Sequence, residues 1–426
     1  MAWLWLLVQA VRNMQPAVQP AVHAFPSTFE VALSAHAAER ARVFARPELD
    51  TPVIGVVEAG HGFPIHEVRA DRPCPGGVFL RVAPARFVCS AHFRPSAAFP
   101  LRRPVVPVDD ALRPALAWRR AMAPTPAWTS RAERQGGRPS LTLPRNAHLL
   151  HRKRFATVDG ELMVHTIKDY LVAAADLEPA SPSEFAGRLT PKPEDLRWAV
   201  AYHFPSVPLI GPDGVGRRRL PDKTWVRLAR DAAVTWEGRR YLKLEDGWLL
   251  PERHARVFEV GEPPPGIGPR ERWIEVNMTS QTLVAYEGAR PVFRTLVSSG
   301  RVGTDTAPGL YRIYFKRVLQ DVSRRRPGGW DYFFEGVPFV QFFHGVFAFH
   351  PAPWHHAFGS AHSMGCVETS LRDGAFLFGW TLPRVPDGYL ALTDTAEEPG
   401  TLVRIVKFTG HRVPTRFHPR ELTPPE

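Results

Sequence analysis

Proline and glycine divide this chain into short segments, and this punctuation limits what the chain can fold into. The sequence has 44 prolines and 32 glycines among 426 residues, and between them lie brief runs rich in β-branched and aromatic side chains. Runs of this kind, bounded by turn residues, are typical of antiparallel strands rather than long helices. In residues 239–258, for example, Asp246-Gly247 separates two such runs and predicts a hairpin turn. The chain is therefore predicted to be mainly β.

Changes of composition mark the predicted domain boundaries. Alanine is frequent in residues 13–50, for which we expect an irregular helix, and strand-like runs begin again near positions 51 and 151. These two regions resemble, in texture, one or two small SH3-like β-barrel modules. The predicted order is an N-terminal signal-like or anchor-like and alanine-rich segment (1–50), an SH3-like module (51–100), a Pro/Arg-rich linker (101–150), a second SH3-like or other β module (151–260), a C-terminal β domain (268–408) and a tail (409–426).

The net charge restricts the partners that we expect. The chain carries +12 at neutral pH, and residues 1–150 alone hold 18 basic and 10 acidic side chains. A basic surface attracts nucleic acid and anionic cell-envelope polymers by the same Coulomb force. Because the sequence has no zinc-finger spacing and no aromatic RNA-binding motif, we expect no nucleic-acid partner and favour an anionic envelope polymer. No apolar run reaches the roughly 18–20 residues of a spanning helix, which argues against a polytopic membrane protein.

Three cysteines bear on the compartment of the protein. Cys74 and Cys89 lie close together in the sequence, whereas Cys366 stands alone in the last quarter. In an exported protein this spacing predicts a Cys74–Cys89 disulfide and one separate thiol, while three reduced, buried cysteines are the alternative for a cytosolic protein. The apolar residues 1–11 are typical of an export signal or short anchor, although no Lys or Arg precedes them. We therefore expect a periplasmic or cell-envelope location.

Cys366 lies in a sequence suited to nucleophilic chemistry. It follows Ser363-Met364-Gly365, and His350 ends an apolar run upstream of it. A cysteine nucleophile needs a base that holds its thiolate and donors aimed at the developing oxyanion. Gly365 permits a sharp turn, so that the amides of Gly365 and Cys366 can converge on one point. We predict Cys366 as the nucleophile and His350 as its base, with Ser363, Met364 and Gly365 at the oxyanion or substrate side.

This motif and several other segments resemble the L,D-transpeptidase (YkuD-like) catalytic domain. The family pattern is a histidine, a gap, and then Ser/Thr-His-Gly-Cys followed by an apolar residue, and His350, Ser363, Gly365, Cys366 and Val367 occupy these places. The other segments that resemble the family are Trp273–Asn277 with Gln281–Leu283, Ser299-Gly300 with Thr306–Ile313, and Phe376–Pro383. The resemblance implies an L,D-transpeptidase-type β-sandwich at residues 268–408, with a helix near residues 370–380.

The sequence departs from the family pattern at three positions. Met364 stands where the family has a histidine, Pro351 where it has a glycine, and Glu368 where it usually has Arg or Asn. Met364 still supplies a backbone amide but has no imidazole. Any role of the missing ring is then absent or taken by another histidine, although a loop or solvent-facing position is the simpler interpretation for each candidate: His344, His355, His356 and His362.

By this resemblance the chain would act on peptidoglycan stem peptides. Cys366 would attack the carbonyl of the third residue of a tetrapeptide stem and expel the terminal D-alanine, with His350 as acid and base. The amides of Met364, Gly365 and Cys366 would form the oxyanion hole. A second stem as acceptor would give a 3–3 cross-link, water would make the chain an L,D-carboxypeptidase, and a lipoprotein lysine would make it an anchoring enzyme. A non-catalytic cell-wall-binding protein with a degenerate domain is the further alternative. We expect no cofactor and no metal.

Overall fold

The computed structural model describes residues 32–98, 100, 106, 117–191, 197–327 and 329–407. The predicted signal segment at residues 1–11, residues 101–105 and 107–116 of the predicted linker, and the predicted tail lie outside the described residues. Within the part of the chain that is described, no helix is both long and apolar enough to cross a membrane.

The fold is mainly β, as predicted, and it forms two compact units assembled from segments distant in sequence. Unit 1 contains the described residues up to Ser181 together with Ile313–Val346 and Ala375–Gly400. Unit 2 contains Pro182–Arg312, Phe347–Gly374 and the described residues from Thr401 onward.

Unit 1 is built around one long, mostly antiparallel sheet in the order β14-β13-β12-β29-β28-β32-β3-β2-β7-β6-β5. Smaller sheets have the orders β4-β1-β8 and β10-β11, and β9 pairs with both β12 and β15. A short helix, α1, spans Arg131–Gln135, and 3-10 turns lie at Ser90–His92 and Ala174–Asp176. The strands are β1 (Ser34–Ala37), β2 (Ala41–Phe44), β3 (Val53–Val57), β4 (Gly62–Pro64), β5 (Glu67–Cys74), β6 (Gly77–Ala83), β7 (Arg86–Cys89), β8 (Phe93–Ser96), β9 (Ala117–Ala121), β10 (Thr125–Ala127), β11 (Leu141–Leu143), β12 (His148–Val158), β13 (Glu161–Thr166), β14 (Leu171–Ala173), β15 (Leu177–Ala180), β28 (Phe315–Arg326), β29 (Gly329–His344) and β32 (Tyr389–Thr393).

The alanine-rich segment before residue 50 contains strands, so the predicted irregular helix is wrong for the residues described there. β1 and β2 pair with other strands of unit 1 and place Ala35 and Val43 in a buried core. Their partners in that core include Leu80 and Val88 from β6 and β7. Burial on one face of a sheet therefore outweighs the helix propensity of alanine.

A disulfide joins Cys74, the last residue of β5, to Cys89, the last residue of β7. The two Cα atoms are 5.9 Å apart, and both cysteines are buried among aromatic side chains that include Phe44 and Phe79. The bridge therefore links two strands that both flank β6.

Unit 2 contains two sheets and a parallel strand pair. The first sheet has the order β19-β18-β22-β21-β20-β17-β23, the second has the order β16-β26-β25-β24-β33-β27, and β30 pairs with β31. A 3-10 turn lies at Glu252–His254. The strands are β16 (Arg188–Leu189), β17 (Trp198–Ala201), β18 (Ser206–Ile210), β19 (Arg217–Pro221), β20 (Thr224–Trp236), β21 (Arg239–Leu244), β22 (Leu249–Pro251), β23 (Ala255–Val257), β24 (Arg272–Asn277), β25 (Thr282–Glu287), β26 (Arg290–Leu296), β27 (Gly309–Arg312), β30 (Phe347–Pro351), β31 (Val367–Thr369) and β33 (Leu402–Val406).

The hairpin predicted at Asp246-Gly247 is confirmed. β21 and β22 are antiparallel partners, and the Gly247 N–H donates to the Leu244 carbonyl at 2.9 Å. Gly247 has φ +86°, a conformation that glycine adopts without steric cost, which explains its position in the turn.

The helix predicted near residues 370–380 is α2 (Leu371–Trp380), which begins directly after β31. The Ser370 hydroxyl accepts a hydrogen bond from the Asp373 N–H at 3.2 Å, in the manner of an N-cap. The Asp373 carboxylate is buried and accepts hydrogen bonds from the Gly187 N–H and the Thr295 hydroxyl. These bonds tie the first turn of the helix to two other segments of unit 2.

Candidate active site

The parallel strands β30 and β31 bring together the two residues predicted for catalysis. Their register pairs Phe349 with Val367 and His350 with Glu368, and Cys366 immediately precedes β31. The His350 ring and the Cys366 thiol are hydrogen-bonded. The backbone thus places a potential base beside a potential nucleophile, although sixteen positions separate them in the sequence.

One ring nitrogen of His350 is fixed by the backbone. The Nδ1–H group donates to the Pro351 carbonyl oxygen at 2.9 Å, and only 3% of the residue is exposed. Because Nδ1 is committed to that carbonyl, Nε2 is the nitrogen available to the Cys366 thiol. The ring is therefore held in one orientation, with its reactive edge toward sulfur.

The electrostatic surroundings of His350 favour its charged form. Burial alone lowers the pKa of the imidazole, because a charged ring is poorly solvated there. The hydrogen bond with Cys366, the negative charges of Cys366 and Glu368, and the backbone carbonyl act in the opposite direction and raise the pKa of His350 to about 9. At neutral pH the ring can therefore remain an imidazolium beside the thiol.

Ser363 organises the loop that leads into Cys366, defined here as the cysteine loop (residues 363–366). Its hydroxyl donates to the Cys366 carbonyl at 2.5 Å and accepts from the Gly365 N–H at 3.1 Å. Ser363 is buried, whereas Met364 is 38% exposed. The serine hydroxyl thus forms hydrogen bonds within the loop. One of them is with the Gly365 N–H, which is one of the three amides predicted to bind the oxyanion.

Gly365 is required by the shape of the cysteine loop. Its φ is +118°, a region that side-chain-bearing residues rarely adopt. A Cβ atom at this position would lie 2.4 Å from a carbon of the Phe347 ring. The loop can therefore bring its backbone close to Phe347 only with glycine here.

A second segment, defined here as the clamp loop (residues 298–306), holds the cysteine loop from one side. The Arg301 N–H and the Thr304 hydroxyl donate to the Ser363 carbonyl at 3.0 and 3.2 Å. The buried Thr306 hydroxyl donates to the Gly365 carbonyl at 2.8 Å and accepts from the Gly300 N–H at 3.0 Å. Two carbonyls of the cysteine loop are thus fixed by this segment.

Gln281 fixes the clamp loop in turn. Its side-chain amide donates to the Ser299 hydroxyl at 2.7 Å and its side-chain oxygen accepts from the Ser299 N–H at 2.8 Å. The Ser299 carbonyl accepts from the N–H groups of His362 and Ser363, each at 3.1 Å. Gln281, Ser299 and Thr306 were visible in the sequence as parts of family-like segments, but their structural role was not predicted.

A carboxylate–histidine pair beside His350 was not predicted either. His355 Nε2 lies 2.8 Å from a carboxylate oxygen of Glu368, and the Ala357 N–H donates to His355 Nδ1 at 3.1 Å. The His362 ring lies 6.0 Å from the His355 ring, and His344 belongs to unit 1. His355 is thus tied to a charged group near the Cys–His pair.

Within the described residues, no group of three or more His, Cys, Asp or Glu side chains is arranged to hold a metal ion.

The segment that contains His350 and Cys366 matches a known protein family. Residues 271–405 match the model of the YkuD L,D-transpeptidase catalytic domain. This segment is an L,D-transpeptidase catalytic domain. The transpeptidase domain includes residues of both compact units, and it contains the cysteine loop, the clamp loop and helix α2. A search of curated proteins found no match.

Two solved structures of L,D-transpeptidases are similar to part of the chain. A mutant Enterococcus faecium L,D-transpeptidase is 19% identical and covers 32% of this chain and 50% of its own, with a TM-score of 0.25. An L,D-transpeptidase from Mycobacterium smegmatis is 14% identical and covers 54% of this chain and 89% of its own, with a TM-score of 0.26. The chain thus spans half the length of the E. faecium structure. At these scores the likeness adds nothing to the assignment, which rests on the family match.

Proposed function

We propose that this chain is a cysteine-dependent L,D-transpeptidase that forms 3–3 cross-links between peptidoglycan stem peptides. The observation that carries the proposal is the hydrogen-bonded pair of a buried His350 and a half-buried Cys366, which ends a glycine-containing loop in a transpeptidase domain. An imidazolium beside the thiol stabilises the thiolate, which is the nucleophilic form of cysteine.

In the first step, the Cys366 thiolate would attack the carbonyl carbon of the third residue of a tetrapeptide stem. A C–S bond forms, the carbonyl π electrons move to oxygen, and collapse of the tetrahedral intermediate breaks the C–N bond to the terminal D-alanine. His350 Nε2 donates its proton to the departing amine. The products are a thioester on Cys366, free D-alanine and a neutral His350.

The oxyanion would be stabilised by backbone N–H groups of the cysteine loop. Because the Gly365 amide is bonded to the Ser363 hydroxyl, the proposal assigns this role to the amides of Met364 and Cys366. Each well-aimed donor is worth about 3–4 kcal/mol in the transition state. The exposed Met364 side chain would then lie at the substrate side. This step does not need the imidazole that the family carries at the position of Met364.

In the second step, the side-chain amine of a second stem would attack the thioester. His350 takes the proton from that amine, an amide bond forms, the C–S bond breaks, and the Cys366 thiolate is restored. Water in place of the amine would yield a shortened stem, which is the L,D-carboxypeptidase alternative, and a protein lysine would yield an anchored protein.

This function would place the protein in the periplasm or elsewhere in the cell envelope, where its substrate lies. The Cys74–Cys89 disulfide is compatible with such an oxidising compartment. The strands within residues 51–100 and 151–260 remain candidates for SH3-like wall-binding modules, and anionic envelope polymers remain candidate partners for the basic N-terminal region.

The test is product analysis with purified tetrapeptide-bearing muropeptides and mass spectrometry. The proposal expects cross-linked dimers and D-alanine from the wild type, and neither product from Cys366→Ala. His350→Ala is expected to slow acylation by about 10²–10⁴-fold. Trimmed monomers alone would favour the carboxypeptidase alternative, and binding without either product would favour a degenerate wall-binding domain.

A further inference from the structure

We propose that Glu368, held in place by His355, is a positioning residue that keeps His350 protonated beside Cys366. The inference rests on the proposed function in one respect, since it takes Cys366 and His350 as the reacting pair. It goes beyond that proposal by assigning a role to a carboxylate that touches neither the substrate nor the sulfur atom in the scheme above.

Strand register brings the Glu368 side chain to His350. The two residues are direct partners in the parallel pair of β30 and β31, so their side chains leave the same face of that pair. Cys366 lies directly before β31, and its thiol is hydrogen-bonded to the His350 ring. The base therefore has the carboxylate as its partner across the strand pair and the nucleophile as its hydrogen-bond partner.

Glu368 is held on both its backbone and its side chain. Its N–H and carbonyl groups exchange hydrogen bonds with Ser298, each at 2.9 Å. Its carboxylate accepts a hydrogen bond from His355 Nε2 at 2.8 Å, and only 7% of the residue is exposed. The charge of this residue thus has a defined position and little contact with water.

The hydrogen bonds of His355 fix the roles of its two ring nitrogens. Its Nδ1 atom accepts the Ala357 N–H at 3.1 Å, so this nitrogen presents a lone pair. Nε2 is then the donor to the Glu368 carboxylate. His355 thus holds the Glu368 side chain in place through one hydrogen bond.

A buried carboxylate is stabilised by a positive charge nearby in addition to its hydrogen-bond donors. The His350 imidazolium is the group that can supply it. Among the described residues, the titratable groups that face His350 are Cys366 and Glu368; His355 is hydrogen-bonded to Glu368, and the His362 ring lies 6.0 Å from the His355 ring. The negative charge of Glu368 contributes to raising the pKa of His350, which is consistent with this arrangement.

The experiment measures how the alkylation rate of Cys366 by iodoacetate depends on pH in the full-length protein. Because Cys74 and Cys89 are bridged, the reaction reports on Cys366. Iodoacetate is an anion, so its rate should fall when the neighbouring imidazolium loses its proton. We expect this alkaline limb near pH 9 in the wild type, in line with the raised pKa of His350.

Glu368→Gln removes the charge and preserves the size of the side chain. We expect its alkaline limb to move to lower pH by about one unit, the smaller end of the range for one neighbouring charge. Glu368→Asp, which keeps the charge, should retain the wild-type limb even if its rate is lower. His362→Gln is the matched control, because its ring lies near His355 but makes no contact with Glu368 that the proposal uses.

A limb at the wild-type pH in Glu368→Gln would overturn the proposal and leave Glu368 a purely structural role. If that variant does not fold, His355→Leu removes the donor that fixes the carboxylate, and an unchanged limb there would overturn it equally. The assay needs no turnover, so its result is distinct from that of the product analysis. A chain that forms no cross-links but shows the shift would refute the proposed function alone.

Discussion

Gly365→Ala is the substitution that most severely tests the described geometry of the cysteine loop. Gly365 has φ +118°, and an added Cβ would lie 2.4 Å from one carbon of the Phe347 ring and 2.9 Å from another. Real Cβ atoms do not approach ring carbons so closely, so either the ring or the loop must move.

The magnitude follows from two separate contributions. Backbone strain in a sparsely populated φ region costs about 1–3 kcal/mol. Displacing a packed ring costs about 1–3 kcal/mol more. We therefore expect Gly365→Ala to destabilise unit 2 by about 2–6 kcal/mol. Displacement of even one oxyanion donor would lower the rate of D-alanine release by about 10²–10³-fold.

The assay combines calorimetric unfolding with D-alanine release at saturating stem peptide. Gly379→Ala is the matched control, since nothing lies within 4 Å of its added Cβ and it sits in helix α2, where alanine is favoured. In the double variant Gly365→Ala/Phe347→Ala, the ring contribution should disappear and the backbone contribution should remain. If Gly365→Ala retains wild-type stability and rate, the described loop conformation is wrong.

Three further predictions concern other parts of the fold. Thr306→Val removes the buried hydroxyl that bonds both loops and should destabilise unit 2 by about 1–3 kcal/mol, far more than Thr304→Val, as measured by calorimetry. Burial and a neighbouring carboxylate raise the pKa of Glu259 to about 7, so its proton is retained in the fold and lost from the unfolded chain as pH rises from 4.5. The loss of folding stability caused by Glu259 therefore develops between pH 4.5 and 7. Glu259→Gln removes this loss and should raise the melting temperature at pH 8 but not at pH 4. The double variant Cys74→Ser/Cys89→Ser removes a disulfide between residues 15 positions apart, and it should lose about 3 kcal/mol of stability without changing the alkylation rate of Cys366. Wild-type protein treated with a reductant should lose the same amount of stability, which serves as the control.

The sequence supported predictions of local structure where the signal itself was local. The Asp246-Gly247 hairpin was predictable because turn chemistry acts over a few residues, and the helix at Leu371–Trp380 was predictable because a short segment there resembles the family. The strand Ser34–Ala37 was not, since the strands that pair with it and much of the core that buries it lie outside its own segment of the sequence. The same reason explains why the composition of the two units, which draw on distant segments, was not foreseen.

In the site, the Cys366–His350 pair could be predicted from the spacing of a motif, but its surroundings could not. The Glu368–His355 contact depends on the register of two parallel strands, and no short-range pattern encodes that register. The Gly365 N–H donates to the Ser363 hydroxyl and is therefore not directed at the oxyanion as predicted. Whether such a local hydrogen bond forms depends on the loop conformation, which the sequence motif does not specify.

The most direct test of the central claim is the intact mass of the protein during turnover. The wild-type chain would be mixed with a tetrapeptide stem, quenched in acid and digested to locate the adduct. The account predicts a transient increase equal to the stem minus D-alanine, on the peptide that contains Cys366, and no such increase in Cys366→Ala. Cross-links or D-alanine formed at the wild-type rate by Cys366→Ala would contradict it.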